Sequence, residues 1–267
     1  MDKRPIGIFD SGLGGLTVFS EIINEAPHEN IIYLGDTARF PYGEKKLEDV
    51  KRYSLKIAEF LYNQGIKLLV IACNTATSAA LNDIKKRFDI PVIGVVDPGA
   101  RTAARATANK RVGVIATTGT VLSKAYDKSI EKIDKSIELF SNPAPELVEL
   151  IEKGILDGDI LEKTICKYTG PLFKENIDVL ILGCTHFPLI EESVKKCCMQ
   201  NIKVISSAVE TSKEVSAQLL KNKIENSENK LPQRIFYETG NGSKFYSVGS
   251  MFLGSRISEV KHVDLKI

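Results

Sequence analysis

Short apolar runs rich in Ile, Val and Leu alternate along this chain with longer amphipathic stretches. That alternation is the mark of βαβ units, in which parallel strands buried on both faces are joined by crossover helices. The spacing predicts strands over 6–9, 31–34, 68–72, 92–95, 112–116, 179–182 and 204–205. It predicts helices over 16–24, 47–64, 76–87, 122–133, 158–173 and 190–199, and a solvated helix end and loop over 221–233. The pattern also echoes itself. PIGIFDSG (5–12) resembles RVGVIATTG (111–119), and LLVIACNT (68–75) resembles VLILGCTH (179–186), in the same order and at nearly the same offset. The expected fold is therefore α/β, with two similar α/β domains and largely parallel sheets. Ligands of open α/β sheets lie beyond the carboxyl ends of the strands. All four echoed motifs end there, which places the expected site at the domain interface.

Length and composition close off other classes. A chain of 267 residues accommodates about two domains of ordinary size. With 43% apolar and 26% charged residues it has enough core-forming material to exclude disorder as the main state. Lys plus Arg number 36 against 34 for Asp plus Glu, and the two signs are interspersed, so nucleic acid is not expected as the main partner. The longest apolar stretches, 68–73 and 179–182, fall far below the roughly 20 residues that span a bilayer. The N-terminus enters a strand-like run without a signal-peptide core. A soluble, cytoplasmic protein with no membrane partner is expected. Five cysteines without a secretory signal argue against a disulfide framework. Three histidines and no Cys-x-x-Cys pair argue against a structural metal site.

The candidate chemistry centres on Cys73 and Cys184. Each follows an apolar strand and precedes hydroxyl, amide or imidazole groups at a helix start. A helix N-terminus or a cationic neighbour lowers a thiol from its usual value near 8.5. One such cysteine is more often a small buried hydrophobe; two at equivalent points of similar halves favour chemistry. Cys166, Cys197 and Cys198 lack this context and read as helix packing. His186, two residues after Cys184, can stabilise a thiolate or shuttle its proton. Asp10, ahead of Ser11 and GLGG, can orient a thiol or cap the following helix. The turn DSGLGGLT (10–17) matches neither nucleotide fingerprint, and offers N–H groups to a small anion. Asn74, Thr75, Thr117, Thr118, Thr120 and Thr185 add a polar, largely uncharged lining suited to a small zwitterionic acid. GDTARFPYGEK (35–45) reads as plain loop, and Glu152, by spacing alone, as a surface glutamate.

Two cysteines facing one pocket from opposite halves suggest two-base proton transfer. One thiolate removes a proton from carbon while the other thiol delivers one to the opposite face, as in a racemase or epimerase. An α-hydrogen beside a carboxylate is very weakly acidic, so preorganised donors and exclusion of water must stabilise the carbanion.

The motifs DSGLGGLTV, YLGDTARFPYGEK, ACNTATSAAL, GVVDPGA and LGCTHFPLI, with a C-terminal FYETG…F…FLG pattern, closely resemble those of glutamate racemases, cofactor-independent enzymes of the Asp/Glu racemase superfamily. The resemblance covers nearly the whole chain. It implies interconversion of L- and D-glutamate without a cofactor or metal, and a supply of D-glutamate for peptidoglycan. A homodimer is compatible with it. Carried over by position, Cys73 acts on D-glutamate assisted by Asp10, and Cys184 acts on L-glutamate assisted by His186. Asp10, Ser11, Tyr42, Gly43, Asn74, Thr75, Thr185 and His186 contact substrate, with Thr117 and Thr120 as additions. Glu152 matches a family acid near His186, against its surface reading. The implied domains are 1–97 plus 207–267, and 98–206. Ala144, Glu149 and Ser206 depart from the family pattern, the first two within the Glu152 segment. An aspartate racemase, a two-cysteine isomerase or decarboxylase of a dicarboxylate, and a binding protein that has lost turnover remain as alternatives.

Overall fold

The computed structural model describes residues 1–198, 201–228, 230–253, 257 and 260–266. Met199, Asn229 and Gly254, which fall in segments considered above, lie outside the described residues. The strands are β1 (Ile6–Asp10), β2 (Ile31–Gly35), β3 (Leu68–Ile71), β4 (Val92–Gly94), β5 (Arg111–Ala116), β6 (Glu138–Pro143), β7 (Val179–Gly183), β8 (Lys203–Ser206), β9 (Arg234–Glu238) and β10 (Val260–His262). They form two sheets, β10-β9-β2-β1-β3-β4 and β6-β5-β7-β8. Every pairing is parallel.

The sequence echo has a direct structural counterpart. The order β2-β1-β3-β4 in the first sheet repeats as β6-β5-β7-β8 in the second, with β1 matched by β5 and β3 by β7. Cys73 and Cys184 follow the matched strands β3 and β7.

Helices join the parallel strands, as parallel pairing requires. They are α1 (Leu16–Glu25), α2 (Leu47–Asn63), α3 (Asn74–Arg87), α4 (Val96–Ala106), α5 (Thr118–Ser123), α6 (Ala125–Ile133), α7 (Pro145–Glu152), α8 (Asp159–Lys174), α9 (Glu191–Cys197), α10 (Ser207–Asn222) and α11 (Ser243–Leu253). Successive side chains of a strand point to opposite faces, and each sheet uses both. Ile6, Ile8, Leu68 and Val70 pack with Leu16, Phe19, Val215 and Phe245 of α1, α10 and α11. Phe9, Leu69 and Ile71 pack with Ile57, Leu61, Ala76 and Ile84 of α2 and α3. In the second sheet Ile115, Leu180 and Leu182 face α7, α8 and α9, while Val112, Val114, Val179 and Ile181 face α4 and α6.

The predicted helix 122–133 is two helices, because Lys124 takes the left-handed conformation (φ 53°) between α5 and α6. The predicted helix 190–199 is the shorter α9, preceded by a 3-10 turn over Phe187–Ile190. Among the described residues, one Lys or Arg ion pair is wholly internal: Lys67 Nζ lies 2.6 Å from Glu29 Oε2. The same ammonium donates to the carbonyls of Asp2 and Ile224, each at 2.7 Å, and Glu29 Oε1 accepts from the Asn226 N–H. This node ties the N-terminal segment to the return from α10.

Candidate active site

The apolar strand β3 ends at Ile71, and Cys73 is extended (φ −72°, ψ 125°) as the N-cap of α3. Its sulfur accepts from the Ala76 N–H at 3.5 Å, where a Ser or Asp oxygen usually sits. Cys73 Sγ in turn reaches Ser11 Oγ at 3.7 Å. Burial pushes the Cys73 thiol up to about 12, and the nearby Asp10 carboxylate adds to the effect. Asp10 itself is fully buried at the end of β1, and burial raises it despite the positive His186 and N–H bonds from Gly12, Gly15 and Ser11. In the matched half, Cys184 Sγ lies 3.7 Å from His186 Nδ1, and His186 Nε2 lies 2.7 Å from Glu152 Oε1. Burial opposes a charge on this imidazole, but hydrogen bonds and negative charge from Cys184 and Glu152 outweigh it, raising His186 to about 10. The two thiols thus sit in unlike surroundings, one beside a buried carboxyl and the other beside an imidazolium.

Both sulfurs line one cavity of about 940 Å³ at the carboxyl ends of the strands. The halves are stitched together around it. Thr17 Oγ1 donates to the Thr185 carbonyl at 2.9 Å, the Gly119 N–H to the Gly43 carbonyl at 2.8 Å, and the Thr75 and Thr117 hydroxyls meet at 2.8 Å. Packing here leaves no room for side chains at Gly14, where a Cβ would stand 2.5 Å from His186 Nδ1.

Ser11, Tyr42, Gly43, Asn74, Thr75, Thr117, Glu152, Thr185 and His186 join the two cysteines in the lining. Asp10, Thr118 and Thr120 are not part of it. The Asp10 carboxylate turns into the glycine loop, accepting from Gly12 N at 3.0 Å and Thr185 Oγ1 at 3.4 Å. The Thr120 hydroxyl is held by Thr75 and Thr117. The surface reading of Glu152 is corrected by its contact with His186. The plain-loop reading of 35–45 is corrected too: Phe40, Pro41, Tyr42, Gly43 and Glu44 line the cavity, and the Phe40 ring lies 5.9 Å from the His186 ring.

Spacing and motif reasoning passed over the anchor of that loop. Asp36 is fully buried and accepts from Arg39 Nη1 (2.7 Å), Tyr42 Oη (2.5 Å) and Thr239 Oγ1 (2.6 Å). It passed over Pro145 and Val148 as well, which line the cavity together with Glu149 and Glu152; the i, i+3, i+4, i+7 spacing of one face of α7 was the available signal. Among the described residues, no group of three or more His, Cys, Asp or Glu side chains is arranged to hold a metal ion. No helix among them is long and apolar enough to cross a membrane.

Comparison with known proteins agrees with the fold. The profile of the Asp/Glu/Hydantoin racemase family matches residues 7–215. A curated glutamate racemase from Geobacter metallireducens is 42% identical over 266 residues, covering 100% of this chain and 98% of its own. The crystal structure of a glutamate racemase from Bacillus anthracis superposes with a TM-score of 0.96 at 40% identity, covering 100% of both chains. That of a glutamate racemase from Francisella tularensis in complex with D-glutamate gives 0.94 at 39% identity, covering 100% of this chain and 99% of the other.

Proposed function

The chain belongs to the Asp/Glu/Hydantoin racemase family, and from that premise we propose that it interconverts L- and D-glutamate by two-base transfer of the α-proton, with no cofactor. One observation carries the mechanism: matched strands of two similarly ordered sheets each end in a buried cysteine that faces the same cavity. The thiolate of one cysteine takes the α-proton from one face, and the thiol of the other gives its proton to the opposite face. Each turnover leaves the two sulfurs with exchanged protonation.

Cys184 is the base toward L-glutamate, assisted by His186 and, through it, by Glu152; Cys73 is the base toward D-glutamate, with Asp10 beside it. Burial raises the proton affinity of Cys73, which suits a thiol that gives its proton to carbon, and the contact between His186 Nδ1 and Cys184 Sγ puts an imidazole beside the other sulfur to take and return its proton. Glutamate lies between the two sulfurs. Ser11, Tyr42, Gly43, Asn74, Thr75, Thr117 and Thr185 bind it, while Asp10 and Thr120 act from behind that lining. The units 1–97 plus 207–267 and 98–206 are the working domains, a reading supported by the division of the strands between the two sheets. The D-glutamate formed supplies cytoplasmic peptidoglycan synthesis, the role that the resemblance implies.

The test is incubation with L- and then D-glutamate in heavy water without added cofactor, followed by proton NMR and circular dichroism. Loss of the α-hydrogen signal together with loss of chirality is expected from both sides. Cys73→Ser and Cys184→Ser should each nearly abolish it in a folded protein, and full activity in either removes that sulfur from the mechanism. Exchange with aspartate alone would move the assignment to aspartate. Silence with both would favour a binding role.

A further inference from the structure

One residue of the cavity lining carries a buried donor without a partner, and a residue of the opposite half holds the other end of the same group. Asn74 is 2% exposed and lines the cavity, and its Nδ2 has no hydrogen-bond partner among the described residues. A buried amide in that state is costly unless a ligand uses it. The other end of the amide is engaged: Asn74 Oδ1 accepts from Tyr126 Oη at 2.9 Å. Asn74 opens α3 beside the first sheet, whereas Tyr126 lies on α6, in the core packed on the second. A carbonyl oxygen can only accept, and burial makes the phenol hold its proton more tightly. In this arrangement the oxygen end of the amide is held by Tyr126 and the NH2 end is left for a ligand.

The hydroxyl of Tyr126 also sits where the chain passes between the sheets. A Cβ on Gly99 of α4 would stand 3.5 Å from it and 3.4 Å from Cβ of Ser207, the first residue of α10. Tyr126 itself is buried and does not line the cavity.

On the reading that the cavity takes glutamate, we propose that Tyr126 is a positioning residue for substrate binding. Its hydroxyl reaches across from the second half and holds the Asn74 amide with NH2 toward the cavity, where it donates to a substrate carboxylate. Removing the phenol oxygen frees the amide to turn, so that binding weakens while the thiols and their neighbours stay in place.

The experiment is a double-variant cycle on steady-state racemisation, with thermal unfolding as the check on folding. Tyr126→Phe is expected to raise KM for both enantiomers about five- to tenfold and to leave kcat within about twofold, the size of one ordinary hydrogen bond. Asn74→Ala should raise KM at least as much. Adding Tyr126→Phe to Asn74→Ala should then cost less than about a further twofold. An unchanged KM in Tyr126→Phe, or effects that multiply in full in the double variant, overturns the proposal. Should Tyr126→Phe fail to fold, side-chain amide NMR of the native protein decides instead. The Asn74 NH2 resonances should move on addition of D-glutamate, and their indifference to a saturating amount overturns the proposal. Absence of racemase activity in the native protein would overturn the glutamate reading and this proposal together, and is seen before any variant is made.

Discussion

Gly14→Ala tests whether the glycine loop sets the position of His186. A Cβ at residue 14 would stand 2.5 Å from His186 Cε1, His186 Nδ1 and Thr185 Oγ1. Carbon atoms rest comfortably at about 3.5–4.0 Å, so the ring or the loop must retreat by roughly 1 Å. The loop is held in place, because the Gly14 carbonyl accepts from the Thr17 N–H at 3.0 Å and the Thr17 hydroxyl shares its one proton between the Gly14 and Thr185 carbonyls, each at 2.9 Å. The ring must move, and its 3.7 Å contact with Cys184 is already long for a hydrogen bond to sulfur. A displacement of about 1 Å at a catalytic group costs on the order of 100-fold in rate, or about 2.7 kcal/mol. Overpacking adds about 1–3 kcal/mol of lost stability. Gly14 is not among the described glycines of positive φ, so the effect is steric. Polarimetry from each enantiomer and a thermal melt measure both terms. The enantiomers have equal free energy, so kcat/KM must fall equally in both directions. Damage to the Cys184 side shows instead as a larger primary isotope effect with α-deuterated L-glutamate than with the D form. Activity within about threefold of native would refute the packing argument. Gly170→Ala, at a helical position with nothing within 4 Å of the new methyl, is the control and should leave activity unchanged.

Glu152→Gln keeps the shape of the contact with His186 but removes its charge. His186 then loses its proton more readily, so the basic limb of the kcat/KM profile should move about one unit or more toward lower pH; an unmoved limb would separate Glu152 from the imidazole's function. The same proton contributes to stability. With His186 at about 10 in the folded chain against about 6.5 when unfolded, that contribution is full below about 6.5 and is lost as pH rises through 10. Glu152→Gln should accordingly destabilise the protein more at pH 6 than at pH 10. Lys67→Met leaves the Glu29 carboxylate buried without its cation and should cost about 3–5 kcal/mol in urea unfolding, with Lys67→Met/Glu29→Gln recovering part of the loss. A loss below about 1 kcal/mol would show that the pair does not hold the N-terminal segment.

What could be read in the sequence follows from the range of the interactions involved. The central strands are buried on both faces, so β1, β3, β5 and β7 announce themselves as apolar runs. The edge strand β6, ELFSNP, is only partly buried, and its mixed composition gives no such signal. The pairing of Cys184 with His186 was legible because two positions separate them. Glu152 reaches His186 across 34 positions, and Tyr126 reaches Asn74 across 52. Such contacts depend on how two sheets face each other, which periodicity within one segment does not encode. Lys67 illustrates the limit from the other side. A lysine in GIKLLVI carries no local sign of a partner, and its ammonium is fully enclosed by Glu29 and two carbonyls from distant segments.

The duplicated strand order explains why a fold of this kind suits a reaction with two faces. Equivalent strand ends in the two halves bring Cys73 and Cys184 to one cavity, which on the two-base reading supplies an acid and a base without further design. The surroundings of the two sulfurs have nonetheless diverged. Cys73 has a buried carboxyl and a serine, whereas Cys184 has an imidazole backed by a carboxylate. If both thiols had identical neighbours, nothing would decide which one rests as thiolate, and a fraction of the protein would hold both in the same state. A site with two thiolates has no acid, and a site with two thiols has no base. On the two-base reading, divergence around matched positions gives each sulfur its own partner for the proton it handles, and the equal free energies of the enantiomers keep any difference between the two sides out of kcat/KM. It can appear only in kcat, in KM and in the isotope effects, which is where the variants above are to be read.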